Sequence, residues 1–236
     1  MTRVPYRLFL GLLSILITTG CESVPVRINL TSVKSQGVEQ IPSKLGIYPF
    51  LSTSLAGEPG SAYGLCGMEG GKTASSLSVS KMGDNVAITP ASNTTLLVTQ
   101  ESQILSDSLS TDLSSCGFSL KQLPVEMQDE KNTASDKRKG FFISINLLND
   151  LRTNYGIEAI ALCDAFFIIK NNYYERVPPE KRVVSAHVKI IDTKTLDVLG
   201  QVNLPYIAEG ANMNDTASEI AASLAKLANM DLKNKK

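Results

Sequence analysis

Apolar and polar positions divide the chain into a short apolar leader, a polar stretch and a body in which helical and strand periods alternate. Ile104, Leu105, Leu109 and Leu113 recur at three- and four-residue spacing, which gathers them on one face of a helix starting near residue 99. Gly117 stands where a left-handed C-cap falls, and Phe118 can fold back onto the last turn. Phe118 to Leu123 then reads as a strand. A second helix is expected from about Ser144, with Leu148, Leu151 and Tyr155 on one side and Gly156 closing it. Ile157 to Lys170 is a long apolar run, the pattern of a strand buried on both faces. Arg182 to Asp192 follows as a strand with Val184, Ala186, Val188 and Ile190 on one face, and Thr193 to Leu196 turns it into a partner strand, Asp197 to Tyr206. Thr216-Ala217-Ser218-Glu219 has the form of a capping box, opening a last helix that buries Ile220, Leu224 and Leu227.

The first half is less regular. Leu45 to Leu51 reads as the first strand of the body. Residues 52–94 are rich in Ser, Thr, Gly and Asn, with a weak hairpin around Gly83-Asp84-Asn85. Between the leader and the body, residues 21–44 read as a tether broken by Pro25, Gly37 and Pro42, with Val26 to Leu30 alternating as an edge strand would. The order is strand, helix, strand, helix, three strands, helix. This predicts an α+β fold, a mixed sheet with helices packed on it, in one domain over residues 45–232 with an insertion at 52–94.

The leader has its own logic. Arg3 and Arg7 form a positive start, Leu8 to Ile17 is apolar apart from Gly11 and Ser14, and Thr18, Thr19 and Gly20 precede Cys21. This is the form of an export signal spanning residues 1–20. A spanning helix needs about 20 apolar residues, more than this run supplies. Small residues before a cysteine resemble the lipobox of bacterial lipoproteins, with Thr18 where Leu is usual. The resemblance implies that Cys21 is the first mature residue and carries acyl chains, palmitate among them. At ~0.8 kcal/mol per buried methylene, more than one chain makes a lasting anchor. Glu22 follows where Asp would signal inner-membrane retention in many Gram-negative species. The expected place is therefore the outer membrane with the domain facing the periplasm, a Gram-positive surface being the alternative.

Composition narrows the partners. The 23 basic residues balance the 23 acidic ones, and loss of Arg3 and Arg7 with the leader leaves a net charge of −2. That is not the basic surplus of a nucleic-acid binder. No nucleotide partner is expected either. Gly67-Met68-Glu69-Gly70-Gly71-Lys72-Thr73 imitates a phosphate loop, but Gly67 leaves three residues before the Gly-Lys-Thr where four are needed, and no helix pattern follows. His187 is the only histidine, so a His-based metal cluster is ruled out. Its place in the alternation predicts a solvent-facing side chain beside Ser185 and Lys189. Asp164 interrupts an apolar strand and is expected to hydrogen-bond at a strand bend rather than to react. No serine lies in a Gly-x-Ser-x-Gly elbow. No catalytic residue, cofactor or metal is assigned, and the chain reads as non-enzymatic.

With Cys21 given to lipid, Cys66, Cys116 and Cys163 remain in a compartment where disulfides persist. Cys163 sits in the apolar run and reads as a buried thiol. Cys66 and Cys116 are the candidate disulfide pair, closing a loop worth roughly 4 kcal/mol on the chain-entropy account. Tyr173, Tyr174 and Arg176 beside a proline-containing loop are the candidate interface residues, since Tyr and Arg are common anchors.

Two stretches carry a wider likeness. They are Tyr155-Gly156-Ile157-Glu158-Ala159-Ile160 and Ile190-Ile191-Asp192-Thr193-Lys194-Thr195-Leu196-Asp197-Val198-Leu199. Over residues 100–230 the chain resembles a broad class of bacterial envelope proteins. The class includes curli-secretion channel lipoproteins, flagellar-assembly lipoproteins, the N-terminal domain of the Tol translocation protein and lipoprotein activators of peptidoglycan synthases. Their strand ending is "Asp-x-Lys-Thr-Gly", and Leu196 stands where they favour Gly. The resemblance implies a domain that docks to envelope proteins and is compatible with an oligomer. It also permits an alternative to an accessory component, a subunit of an outer-membrane secretion channel with residues 76–98 as the crossing hairpin; a cell-wall or lipid hydrolase is a further alternative, independent of the resemblance.

Overall fold

The computed structural model describes residues 28–55, 77–90, 94–125, 140–170, 180–207 and 209–230. Eleven strands and three helices are described there. In chain order they are β1 (Thr31–Lys34), β2 (Lys44–Ile47), β3 (Leu51–Leu55), β4 (Ser78–Met82), β5 (Asn85–Thr89), β6 (Thr94–Leu97), α1 (Gln100–Ser115), β7 (Ser119–Gln122), β8 (Phe141–Ser144), α2 (Ile145–Tyr155), β9 (Ala159–Lys170), β10 (Glu180–Asp192), β11 (Val198–Leu204) and α3 (Met213–Leu227). The fold is α+β, as the pattern predicts.

Eight strands form one mixed sheet, ordered β1-β11-β10-β9-β2-β7, with β3 continuing alongside β9 and carrying β6. β2 is parallel to both β7 and β9. The chain crosses from β2 through α1 to β7 on one side, then returns through α2 to β9 on the other. Crossovers of one hand that run in opposite directions place their helices on opposite faces of a sheet. Burial agrees. Leu105, Leu109 and Leu113 of α1 join one core with Ala161, Val188 and Ile220, while Leu148 and Leu151 of α2 join another with Ile160 and Leu162. α3 packs beside α1, where Ser218 Oγ donates to Asp112 Oδ2 at 2.6 Å and Ser108 Oγ to Asn214 Oδ1 at 3.0 Å.

The local signals account for most element ends. Thr99 and Ser102 cap α1 reciprocally, each hydroxyl accepting the other's backbone N–H. Gly117 takes φ +97° and Phe118 N–H returns to Leu113 O, the left-handed C-cap read from the sequence. Gly156 closes α2 at φ +64°. The expected strand at 45–51 is instead two, broken around Pro49. There the Phe50 N–H donates to Ser106 Oγ at 2.6 Å, so a buried serine of α1 satisfies the break. α3 begins earlier than the expected box at 216–219. Asn212 Oδ1 accepts from Asn214 and Asp215, and Thr216 lies inside the helix with its hydroxyl donating back to Asn212 O.

Part of the expected tether belongs to the sheet. β1 pairs antiparallel with β11, downstream of the Val26–Leu30 alternation, and Ile41 is fully buried. The hairpin around Gly83 is present and joins β8 in a three-stranded sheet, ordered β4-β5-β8. Val86, Ile88, Phe141 and Ile143 from this sheet pack into the α2-side core.

Candidate functional site

The register of β9 and β10 sets Asp164 directly opposite His187. Partners across a ladder point to the same face, so both side chains lie on the α2 side of the sheet. His187 Nδ1 and Asp164 Oδ2 share a hydrogen bond of 3.1 Å. His187 is 7 % exposed and Asp164 2 %. This corrects the solvent-facing position expected for His187. Alternation does put it opposite Val188, but that face is itself covered. It also corrects the partner of Asp164, which lies across the ladder rather than at a bend. A bulge between Val183 and Ser185 shifts the expected inward row as well: Val183, with Ala186, Val188 and Ile190, fills the α1-side core.

Lys189 completes a polar cluster within this face, its Nζ donating to Leu77 O at 2.5 Å. Burial pushes the Asp164 carboxyl above the usual range, opposed by the His187 bond and the nearby Lys189 charge. Burial likewise lowers the Lys189 ammonium, opposed by Asp164. The signal for this cluster was in the sequence: Asp164 and His187 each interrupt an apolar run, and pairing the two strands brings them together. Among the described residues, no three His, Cys, Asp or Glu side chains are grouped so as to hold a metal.

Cys163, next to Asp164, points the other way into the α1-side core and is buried, as read. Burial first, then the Asp164 charge, pushes its thiol far up. Because the thiolate is the reactive form, Cys163 is expected to alkylate with iodoacetamide at least roughly a hundredfold more slowly in the native protein than after unfolding. Peptide mass mapping reads this directly, and equal rates would contradict the burial. Cys116 follows the end of α1, half-buried, with no disulfide partner among the described residues. Cys66 lies outside the described residues, as do Cys21, Tyr173, Tyr174 and Arg176.

Two surface hollows lie at opposite ends of β7. One, of about 250 Å³, opens beyond the C-terminal ends of β2 and β7, bounded by Tyr48, Pro49, Val98, Asp107, Gln122 and Pro124. That is where ligands gather in parallel sheets. The other, of about 170 Å³, is bounded by Lys44, Lys121 and Tyr155 among others. Lys121 Nζ sits 2.9 Å above the Tyr155 ring. Tyr155 was expected inward with Leu148 and Leu151 but is 51 % exposed. It ends its helix, where the apolar stripe has run past the sheet.

The hairpin proposed as a membrane-crossing element is used elsewhere. β4 and β5 are five residues each, against about 9–11 for a crossing strand. Val86 and Ile88 face the core fully buried. Among the described residues no helix is long and apolar enough to cross a membrane.

No family model and no curated protein matches the chain. Among solved structures it is similar to the PelC dodecamer from Paraburkholderia phytofirmans, with 9 % identity and a TM-score of 0.39, over 86 % of this chain and 98 % of that one. A single-residue variant of the same PelC dodecamer, in another crystal form, gives 8 % identity and a TM-score of 0.37, over 86 % and 99 %.

Proposed function

We propose that the chain is a lipid-anchored outer-membrane lipoprotein, a non-enzymatic accessory or structural component of an envelope assembly that works through protein contacts. The observation that carries this reading is the leader: Arg3 and Arg7, the apolar run to Ile17, and three small residues ending at Cys21. The described domain supports it in a second way. Its one histidine is engaged with Asp164 inside the sheet face, which suits a structural role better than an open reaction centre. The class resemblance of residues 100–230 points to the same kind of docking module.

Formaldehyde cross-linking of cells expressing the tagged protein from its own promoter, followed by purification under denaturing conditions, tests the docking role. A discrete set of envelope proteins, reduced when Cys21→Ser removes the anchor, is expected. Recovery of the uncross-linked chain alone would overturn it.

A further inference from the structure

We infer that the outer edge of β7 accepts an extended, acidic segment of a partner protein as an added strand. The inference rests on the docking role proposed above and names its surface.

Among the described residues β7 ends the eight-stranded sheet, paired on one side only, with β2. Ser119 N–H donates to Ser43 O and Leu123 N–H to Ile47 O, both at 2.9 Å. Backbone groups alternate along a strand, so the N–H and C=O of Leu120 and Gln122 point away from β2. These are the groups that an added strand takes.

The side chains on either side of that edge say what would bind. Leu123 belongs to the α2-side core, and Leu120 packs against the α1-side core. Lys121 therefore projects on the α2 side, where Lys44 and Tyr155 bound the smaller hollow. Neither lysine has a carboxylate within ion-pairing distance among the described residues. Gln122 projects on the α1 side, at the rim of the larger hollow with Pro49, Val98 and Pro124. An incoming strand also alternates. Its residues on one face meet two cations and an exposed aromatic ring, and those on the other meet a rim of mixed polarity that holds one carboxylate, Asp107, and no cation. Acidic residues two apart, separated by an uncharged one, fit both faces. A second copy of β7 would instead set Lys121 beside Lys121, the charge device by which edges resist self-pairing. The complementary partner is thus a different, acidic chain.

The test uses the full-length lipoprotein in its own cells, with a photo-crosslinking amino acid at Ser119 or, as a second edge, at Ser32 on β1. Light is expected to join the Ser119 probe to a partner whose attached peptide, read by mass spectrometry, carries Asp or Glu at alternate positions. Gln122→Pro removes an outward N–H while leaving the β2 ladder intact. It should cut the yield about tenfold, as should Lys44→Glu with Lys121→Glu, with unchanged unfolding midpoints and recovery in Gln122→Thr. Yields indifferent to these changes, a peptide lacking acids, or a crosslink to a second copy would overturn the inference. Crosslinks from Ser32 alone would overturn it while leaving the docking role standing. No crosslink from either edge would overturn both.

Discussion

Replacing His187 with Leu is expected to destabilise the domain by roughly 3–5 kcal/mol at neutral pH, the cost of leaving one member of a buried pair behind. Asp164 is 2 % exposed and its hydrogen bond to His187 opposes the upward push of burial on its carboxyl. Without His187 that push is opposed only by the Lys189 charge. Replacing both residues, Asp164→Val with His187→Leu, should restore most of the loss, because apolar groups of similar volume need no partner. Urea unfolding of the two single variants and the double gives the coupling directly. A His187→Leu loss below about 1 kcal/mol would mean that the pair contributes nothing to holding β9 against β10.

The sign of the pH dependence follows from the same cluster. A carboxyl raised in the fold favours folding while protonated. Its contribution is full below the ordinary carboxylate range and is lost as pH rises through the raised value. Lys189, lowered by burial, contributes above the ordinary lysine range and loses that contribution as pH falls through its depressed value. Asp164→Asn should therefore remove the first component and flatten the acid side of the stability profile.

The second large effect concerns the hairpin. Ile88→Asp is expected to cost at least about 4 kcal/mol, adding a buried carboxyl to a lost aliphatic side chain. Against a total stability of roughly 5–15 kcal/mol this leaves a domain near its unfolding threshold. Ile88 is fully buried among Val86, Phe141 and Ile143, on a strand held between β4 and β8. Met82, at the exposed tip of the same hairpin, should accept Asp within about 0.5 kcal/mol. Comparable thermal midpoints for the two variants would show that the hairpin is not part of the core and would return it to the channel reading.

The second half of the chain was more legible than the first because its periods are long. The i, i+4 stripe of Leu105, Leu109 and Leu113 could be placed from sequence, and so could the glycine after each of the first two helices. Ile104 could not. It shares that spacing yet is 43 % exposed, because the sheet below covers a narrower arc than the apolar stripe offers. The turn at Asp192 has its own geometry. Asp192 Oδ1 accepts from Lys194 and Thr195 N–H, and Leu196 then takes φ +65°, a left-handed conformation that favours Gly. β6 and β8 were missed. They are four residues each, too short for alternation to be seen, and β8 is fixed by pairing with distant β5.

The candidate site was half visible. Asp164 and His187 were each singled out, but their meeting depends on register, which a bulge at Val183/Ser185 alters within the same strand. The edge of β7 could not be recognised as open, since strand order is a property of the whole sheet. The proposed export leader at residues 1–20, by contrast, rests on the order of residues alone.

That leader allows the most direct test of the account. Intact-mass and fragment analysis of the protein purified from membranes should find an N-terminus at Cys21 bearing a diacylglyceryl group and a further acyl chain. Cys21→Ser should abolish fatty-acid labelling and shift the protein to the soluble fraction. An unmodified Cys21 in the membrane-bound protein, with the leader still attached, would contradict the account.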